Sequence, residues 1–196
     1  RTTPCDRVYE ALKGNVDVID LKKPMLRERK HEQIFLKKNT HWTPEGAYLA
    51  YKEIYKAMGH DDPVSVHTVD GEFPDDLVRY AGLTGQIPDK EKAKDVIIDS
   101  PQAVLKEAPV KTYDGSYFTN SSGKKGYVMI LGDSYSATPA YHFLNYFAES
   151  FARTRFVYNN HEADFHQIEK EHPDCLIVQL SERELNQDYS GMNPNS

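Results

Sequence analysis

The sequence predicts an α/β fold built on a mostly parallel central sheet, because strand-like and helical segments alternate in its C-terminal part. Three short apolar runs, residues 127–131, 155–158 and 175–180, are rich in β-branched and aromatic residues, as buried strands are. The segments between them, at about 139–152 and 164–171, have the composition and length of helices. Such alternation predicts parallel strands covered by helices on both faces, a three-layer arrangement.

The N-terminal part predicts a helix, a strand and a second helix. Residues 8–13 predict a short helix, and the β-branched run 16–20 predicts a strand. A clear amphipathic helix is expected over 47–58. Thr43 suits its N-cap and Pro44 its first position, where a missing N–H costs nothing.

The middle of the chain, residues 60–126, is rich in Pro, Gly, Asp and Ser and predicts an irregular insertion with small strands near 95–98 and 113–118. A length of 196 residues fits one domain. We therefore expect a single domain over 1–196 with an insertion at about 60–126. The first residues carry neither an initiator methionine nor a secretory pattern, so we expect a fragment of a longer chain.

Composition and spacing disfavour several classes of function. The formal net charge of −6 leaves no basic footprint for nucleic acid. The histidines lack metal-binding spacing and the glycines form no phosphate-binding loop, so neither a metal nor a nucleotide cofactor is expected. Cys5 and Cys175 are compatible with two free thiols or with one disulfide.

Ser134 stands in Gly132-Asp133-Ser134, directly after the strand predicted at 127–131. Ligands of open parallel sheets bind at the carboxyl ends of strands. A serine there is a candidate nucleophile, and the alternative is that it only caps the following helix.

His41 and Trp42 stand just before the helix predicted at 47–58. The ordinary pKa of histidine lies near neutrality, which suits a general base. The alternative is an ordinary solvated histidine.

Together the two blocks resemble the SGNH hydrolase superfamily, and within it the alginate O-acetyltransferases of the AlgJ/AlgX type and related DHHW-type proteins. Those families carry an Asp-x-His-Trp block before a Gly-Asp-Ser block, which is the reverse of the usual esterase order, and this chain has that reversed order. Weaker parts of the resemblance are the run 16–20, Gly46-Ala47, Asp76-Leu77 and Glu182-Arg183.

The resemblance implies a serine mechanism. Ser134 would attack an acetyl ester, His41 would take its proton, and the Ser134 backbone N–H would help to bind the oxyanion. A second oxyanion donor is expected from Asn160, with Asn159 as the alternative. The side chains expected to contact the substrate are Trp42, Tyr135 and Arg183, and the aromatic run from Tyr135 to Phe147 predicts either a sugar groove or core.

One departure concerns Asn39, which stands where those families have the aspartate that orients the histidine. An amide oxygen can accept the imidazole N–H but cannot stabilise imidazolium by charge. Three explanations remain open: engineered inactivation, a naturally slow triad, or a carboxylate from elsewhere, with Glu182 and Asp133 as candidates.

The predicted function is O-acetyl transfer onto an exported polysaccharide through an acetyl-serine intermediate. The resemblance implies an extracytoplasmic location, in a parent chain that is membrane-anchored or secreted. It also implies an acetyl donor supplied by a membrane-bound O-acyltransferase. The alternatives are a polysaccharide acetylesterase with the same residues and, because of Asn39, a catalytically impaired glycan-binding or assembly module.

Overall fold

The chain has an α/β fold, as predicted. A computed structural model describes residues 2–107, 115–158 and 165–186. Its helices are α1 (Pro4–Leu12), α2 (Lys22–Glu28), α3 (Pro44–Ala57), α4 (Asp76–Tyr80), α5 (Ser134–Ala137), α6 (Phe143–Ser150) and α7 (Phe165–Glu171). Its strands are β1 (Val66–Pro74), β2 (Lys90–Ile98), β3 (Val104–Glu107), β4 (Tyr117–Thr119), β5 (Tyr127–Gly132), β6 (Arg153–Tyr158) and β7 (Cys175–Gln179). Short 3₁₀ turns cover Pro139–Tyr141 and Glu182–Asn186.

The main sheet has five strands in the order β3-β4-β6-β5-β7. Strand β5 lies in the centre of the C-terminal part and pairs in parallel with β6 and β7. Strands β3 and β4 pair antiparallel with each other, and β4 pairs antiparallel with β6. The sheet is therefore mixed, and the predicted parallel arrangement applies to its C-terminal strands. Too few residues separate β3 from β4 for the crossover that a parallel pair needs.

The strand predicted at 16–20 is wrong. This segment is irregular and makes one isolated bridge, between Lys13 and Val16. Ile19 and Leu21 nevertheless pack against the core. A β-branched run becomes a strand only where a neighbouring strand offers its edge, because β-propensity depends on context.

The stretch 60–126 contributes to two sheets. Its first part forms the β1–β2 hairpin, a separate two-stranded antiparallel sheet in which Phe73 and Val96 are buried against the core. Its second part supplies β3 and β4 to the main sheet. The extent of the domain and of its insertion stays a prediction.

The core lies between the main sheet and helices α3 and α6. The aromatic run is core rather than a sugar groove, since Tyr141, Phe143, Tyr146 and Phe147 are almost fully buried. The helix predicted over 139–152 is divided, because His142 takes the left-handed φ of 58° between the 3₁₀ turn and α6.

Two further features concern the chain as a whole. Cys5 and Cys175 are both free, as one of the two alternatives had it. Among the described residues, no helix is long and apolar enough to cross a bilayer.

Candidate active site

Ser134 is held by a tight turn at the end of β5. A Cβ at Gly132 would stand 2.9 Å from Ser136 Oγ and 3.0 Å from Gln179 Oε1, so any larger residue would force these buried side chains to shift. Asp133 then caps α5 by accepting the backbone N–H of Tyr135 at 2.9 Å. Ser134 is thereby the first residue of α5, partly exposed at the carboxyl edge of the sheet.

Asp133 also forms a hydrogen bond with the segment that follows β7. The second carboxylate oxygen of Asp133 accepts the backbone N–H of Ser181 at 2.7 Å. Two residues later, Arg183 donates to Ser134 Oγ at 3.2 Å and lies over the ring of Tyr135. A guanidinium therefore stands beside the candidate nucleophile.

His41 lies at the end of a short loop before α3. Thr43 caps this helix by accepting the N–H of Gly46, and its hydroxyl donates to the Gln33 carbonyl. The carbonyl of His41 accepts the N–H of Leu36 at 3.2 Å. The Tyr135 hydroxyl donates to the Thr40 carbonyl, which joins the His41 loop to the helix that carries Ser134.

Ser134, His41 and Asn39 form one chain of hydrogen bonds. His41 Nε2 lies 2.9 Å from Ser134 Oγ, and His41 Nδ1 lies 2.7 Å from Asn39 Oδ1. The Asn39 amide nitrogen donates to the Pro74 carbonyl at 2.7 Å, which fixes its oxygen towards the imidazole. Because that oxygen only accepts, Nδ1 carries the proton and Nε2 is left with a lone pair facing the serine hydroxyl.

Asp76, at the start of α4, stands on the same side of the ring as Asn39. Its Oδ2 lies 3.7 Å from His41 Nδ1, and both side chains are 13% exposed. The carboxylate accepts the Thr40 N–H at 3.0 Å and the Thr40 hydroxyl at 2.7 Å.

Burial and the neighbouring charges set the protonation of His41. Desolvation is the largest influence and lowers the pKa of the imidazole, and the Arg183 cation lowers it further. Asp76 and, more weakly, Asp133 raise it, but the net pKa stays below the ordinary 6.5. The imidazole is therefore neutral at neutral pH, the form that can accept a proton.

The structure corrects or qualifies several predicted roles. Trp42 is 4% exposed and packs between Tyr135 and Phe143, so it is a core residue and not a substrate contact. Tyr135 is half-buried and Arg183 is exposed beside Ser134. Asn159 and Asn160 lie outside the described residues.

Neither carboxylate named as a replacement for the missing aspartate binds His41. Asp133 uses both oxygens on backbone N–H groups. Glu182 is exposed and accepts the N–H of Cys5 at 3.3 Å.

Two site residues were missed by sequence reasoning. Asp76 was noted only as part of a weak resemblance. A single sequence does not show that α4, which begins at Asp76, packs against the loop that carries His41. Tyr158 ends β6 opposite Gly132 of β5; burial raises the pKa of its phenol, and the nearby Ser134 hydroxyl opposes this shift. Its position at a strand end beside β5 was the available signal.

A cleft of about 390 Å³ opens beside His41. Its lining residues are Asn39, His41, Pro74, Asp75, Asp76, Arg79, Tyr80, Thr84, Asp89, Thr138 and Tyr141. The aromatic ring of Tyr80 in this lining is 69% exposed. Within the described ranges, no group of three or more His, Cys, Asp or Glu side chains could hold a metal ion.

Comparison with known families places the chain. The model of the SGNH hydrolase-like domain of acetyltransferase AlgX matches residues 5–163. The chain belongs to this SGNH hydrolase-like family. The matched range contains both Asn39-Thr40-His41-Trp42 and Gly132-Asp133-Ser134.

Similar proteins support this placement. A probable alginate O-acetylase AlgJ of Pseudomonas putida is 28% identical over 145 residues, covering 69% of this chain but only 36% of that protein. Three solved structures share the SGNH hydrolase-like fold. They are a DHHW family protein from Eubacterium siraeum (TM-score 0.70, 14% identity, 89% of this chain and 67% of that one), the O-acetyltransferase domain of Pseudomonas putida AlgJ (0.64, 19%, 98% and 69%) and Bacillus cereus PatB1 (0.69, 14%, 96% and 74%).

Proposed function

We propose that this domain is a serine-dependent O-acetyltransferase that acts on an exported polysaccharide. The observation that carries the proposal is the 2.9 Å contact between Ser134 Oγ and an imidazole whose other nitrogen is held by Asn39. This is the geometry of an activated nucleophile. Membership of the SGNH hydrolase-like family and the likeness to AlgJ support acetyl as the transferred group.

In the first half-reaction, Ser134 Oγ attacks the acetyl carbonyl carbon while His41 Nε2 takes the hydroxyl proton. The tetrahedral intermediate collapses when the donor oxygen leaves and receives that proton, which leaves acetyl-Ser134 and neutral His41. The backbone N–H of Ser134 is the proposed oxyanion donor, and Asn160 stays the predicted second donor. The Arg183 cation, 3.2 Å from Ser134 Oγ, would stabilise the negative charge that develops there.

In the second half-reaction, His41 removes a proton from a sugar hydroxyl, which attacks the acetyl carbon. The ester is transferred and Ser134 recovers its proton from His41. We assign the sugar to the cleft beside His41, where the exposed Tyr80 ring offers a stacking face. The acetyl donor would be presented outside the cytoplasm by a membrane-bound O-acyltransferase.

The first experiment is mass spectrometry of the protein after mixing with p-nitrophenyl acetate. We expect an adduct of one acetyl group on Ser134, lost in Ser134→Ala and nearly lost in His41→Ala, with both variants folded by circular dichroism. Ser121→Ala, at an exposed serine away from the site, is the matched control and should label like the parent. Labelling that persists in Ser134→Ala would contradict the nucleophile assignment.

The second experiment separates transfer from hydrolysis. The acetylated protein is offered acetyl-free neutral or uronate oligosaccharides, and the products are followed by mass spectrometry. Acetylated oligosaccharide supports the transferase. Release of acetate alone, at the same rate with and without sugar, would favour the acetylesterase, and an absence of any adduct would favour the glycan-binding module.

A further inference from the structure

Asp76 and its neighbour Leu77 are tied by three hydrogen bonds to the loop that carries His41. The Leu77 N–H donates to the Lys38 carbonyl at 3.1 Å, which joins α4 to the residue before Asn39. Thr40 gives its N–H and its hydroxyl to the two oxygens of Asp76. A side chain held in this way has little freedom to leave the ring.

The amide at position 39 is also a required part of this connection. Asn39 Nδ2 donates to the Pro74 carbonyl at 2.7 Å, two residues before Asp76. An aspartate here would put a carboxylate oxygen against a carbonyl oxygen, two acceptors with no proton between them. The local structure therefore fits an amide better than the family's aspartate.

We propose that two residues share the task that one aspartate performs elsewhere in the family: Asn39 orients the imidazole of His41, and Asp76 supplies the negative charge that stabilises it when protonated. Asp76 is a positioning residue that acts through His41 and touches no reacting atom. This inference rests on the proposed function of Ser134 and His41. It means that Asn39 marks a relocated charge and not an inactive site.

The distances fit this division. Asn39 Oδ1 is 2.7 Å from Nδ1 and takes its proton, whereas Asp76 Oδ2 at 3.7 Å is too far for a hydrogen bond but close enough for strong charge attraction. The side chains of His41 and Asp76 are each only 13% exposed, so solvent screens the attraction between them weakly.

The test is the Asp76→Asn variant, which keeps the shape and can still bond Thr40 but carries no charge. We measure the pH dependence of p-nitrophenyl acetate turnover and the NMR titration of His41. We expect turnover to fall about tenfold, far less than the roughly 10⁴-fold loss that follows when the tautomer itself is lost, because Asn39 still holds the tautomer. We also expect the acidic limb of the profile and the His41 titration to move to lower pH.

The sign follows from the charges that face His41. Asp76 from α4 and Asp133 from the turn before Ser134 raise the pKa of the imidazole, and Arg183 lowers it. Tyr135 and Tyr141 also contact the ring, but burial raises the pKa of both phenols, that of Tyr141 to about 12, so they stay neutral. Removing the Asp76 charge therefore lowers the pKa of His41.

A purely structural role would lower turnover without moving the titration of His41, and that result would overturn the inference. Asp61→Asn, at an exposed carboxylate between α3 and β1, is the matched control for the change in net charge. If Ser134 labels normally while Asp76→Asn leaves the acidic limb unmoved, this inference alone fails. A failure of labelling on Ser134 would instead contradict the proposed function.

A second variant covers the case in which Asp76→Asn does not fold. If His41 merely lacked a carboxylate, Asn39→Asp would raise turnover tenfold or more. We expect no gain, because the charge is already present and because the new oxygen faces the Pro74 carbonyl. A gain of that size would overturn the inference.

Discussion

At the scale of single residues, the hydroxyl of Ser134 lies among three unlike groups. His41 offers a lone pair at 2.9 Å, Arg183 a cation at 3.2 Å, and Tyr158 a neutral phenol. In the proposed mechanism the imidazole takes a proton from the hydroxyl, whereas the guanidinium favours the negative oxygen that remains. Both influences make the oxygen a better nucleophile.

Arg183 also acts on the base, and this gives a prediction of opposite sign to that for Asp76. The cation lowers the pKa of His41, so Arg183→Gln should raise it and move the acidic limb of the pH–rate profile to higher pH. Turnover at neutral pH should fall about tenfold through the lost charge-assisted contact with Ser134. The pH dependence of p-nitrophenyl acetate turnover measures both effects.

Arg29→Gln, at the exposed C-cap of α2, is the control for this variant and should match the parent profile. A limb that moves to lower pH in Arg183→Gln would mean that Arg183 does not face the imidazole in solution.

The sequence singled out the candidate pair Ser134 and His41 but not the residues that surround it. Ser134 and His41 stand in short motifs whose neighbours in the chain are informative, and the structure brings the two side chains into contact. Asp76 and Tyr158 belong to other elements, α4 and β6. Their positions beside Ser134 and His41 depend on how the β1–β2 hairpin and strand β6 pack in the fold. Trp42, adjacent to His41 in the chain, points into the core instead.

At the scale of elements, close packing at the start of helix α3 positions the loop that carries His41. Gly46 lies where the helix touches the preceding loop, and a Cβ there would stand 2.3 Å from the Ile34 carbonyl oxygen and 2.9 Å from Trp42 Cβ. The close approach requires glycine, because both of these atoms belong to or adjoin rigid backbone.

Gly46→Ala should therefore destabilise the fold by about 1–3 kcal/mol, the usual cost of an overpacked site. It should also lower turnover, since the loop that must move carries His41. Urea denaturation followed by circular dichroism measures the free energy of unfolding. Lys56→Ala in the exposed face of the same helix is the control and should stay within about 0.5 kcal/mol of the parent; an equally stable Gly46→Ala would refute the close packing.

The β1–β2 hairpin is tied to the His41 loop by one buried carboxylate. Glu91 in β2 accepts the backbone N–H groups of Lys37 and Lys38 and the amide of Gln33, at 2.6 to 2.9 Å. Burial would raise the pKa of this carboxyl, but these bonds outweigh it and hold the pKa below the ordinary 4.5. The hairpin thereby holds the loop that carries Asn39 and His41.

Glu91→Gln should lower the free energy of unfolding at pH 7 by about 1–3 kcal/mol, because an NH₂ group would face backbone donors. A carboxyl with a lowered pKa in the folded state stabilises the fold above the pKa of the unfolded chain and loses this effect as the pH falls through the folded value. The difference between parent and variant should therefore shrink below about pH 4.5.

Thermal unfolding at several pH values provides the measurement for this variant, with the exposed Glu72→Gln on β1 as the control. A difference that stays constant down to pH 3 would show that the charge of Glu91 is not what holds the loop.

The elements were predictable where local pattern and environment agree. The continuous apolar run of β5 and the capped start of α3 are such cases. Strand β5 ends one residue beyond the predicted 131, and α3 begins at Pro44, directly after the predicted N-cap Thr43 but three residues before the predicted 47. The run 16–20 has the composition of a strand but no partner edge, so it stays irregular. The break between the 3₁₀ turn and α6 depends on the left-handed backbone of His142, a conformation that a histidine in the sequence does not predict.

At the scale of the whole molecule, the two residues of the proposed reactive pair, Ser134 and His41, stand 93 positions apart in the chain. Ser134 belongs to the sheet, whereas His41 belongs to a loop clamped between α3, α4 and the hairpin. Such long-range contacts form only after the intervening chain has been ordered. The proposed reactive pair is therefore complete only when both parts of the fold are in place.

The burial of Trp42 gives this assembly a spectroscopic reporter. It is the only tryptophan of the chain, it follows His41 directly, and its ring meets Tyr135, the neighbour of Ser134, edge-on at 5.1 Å. Its fluorescence emission therefore reports the docking of the His41 loop onto the Ser134 helix. In refolding, the blue shift of that emission and the return of turnover should share one time course, so that light emitted by a core residue follows the completion of the reactive pair.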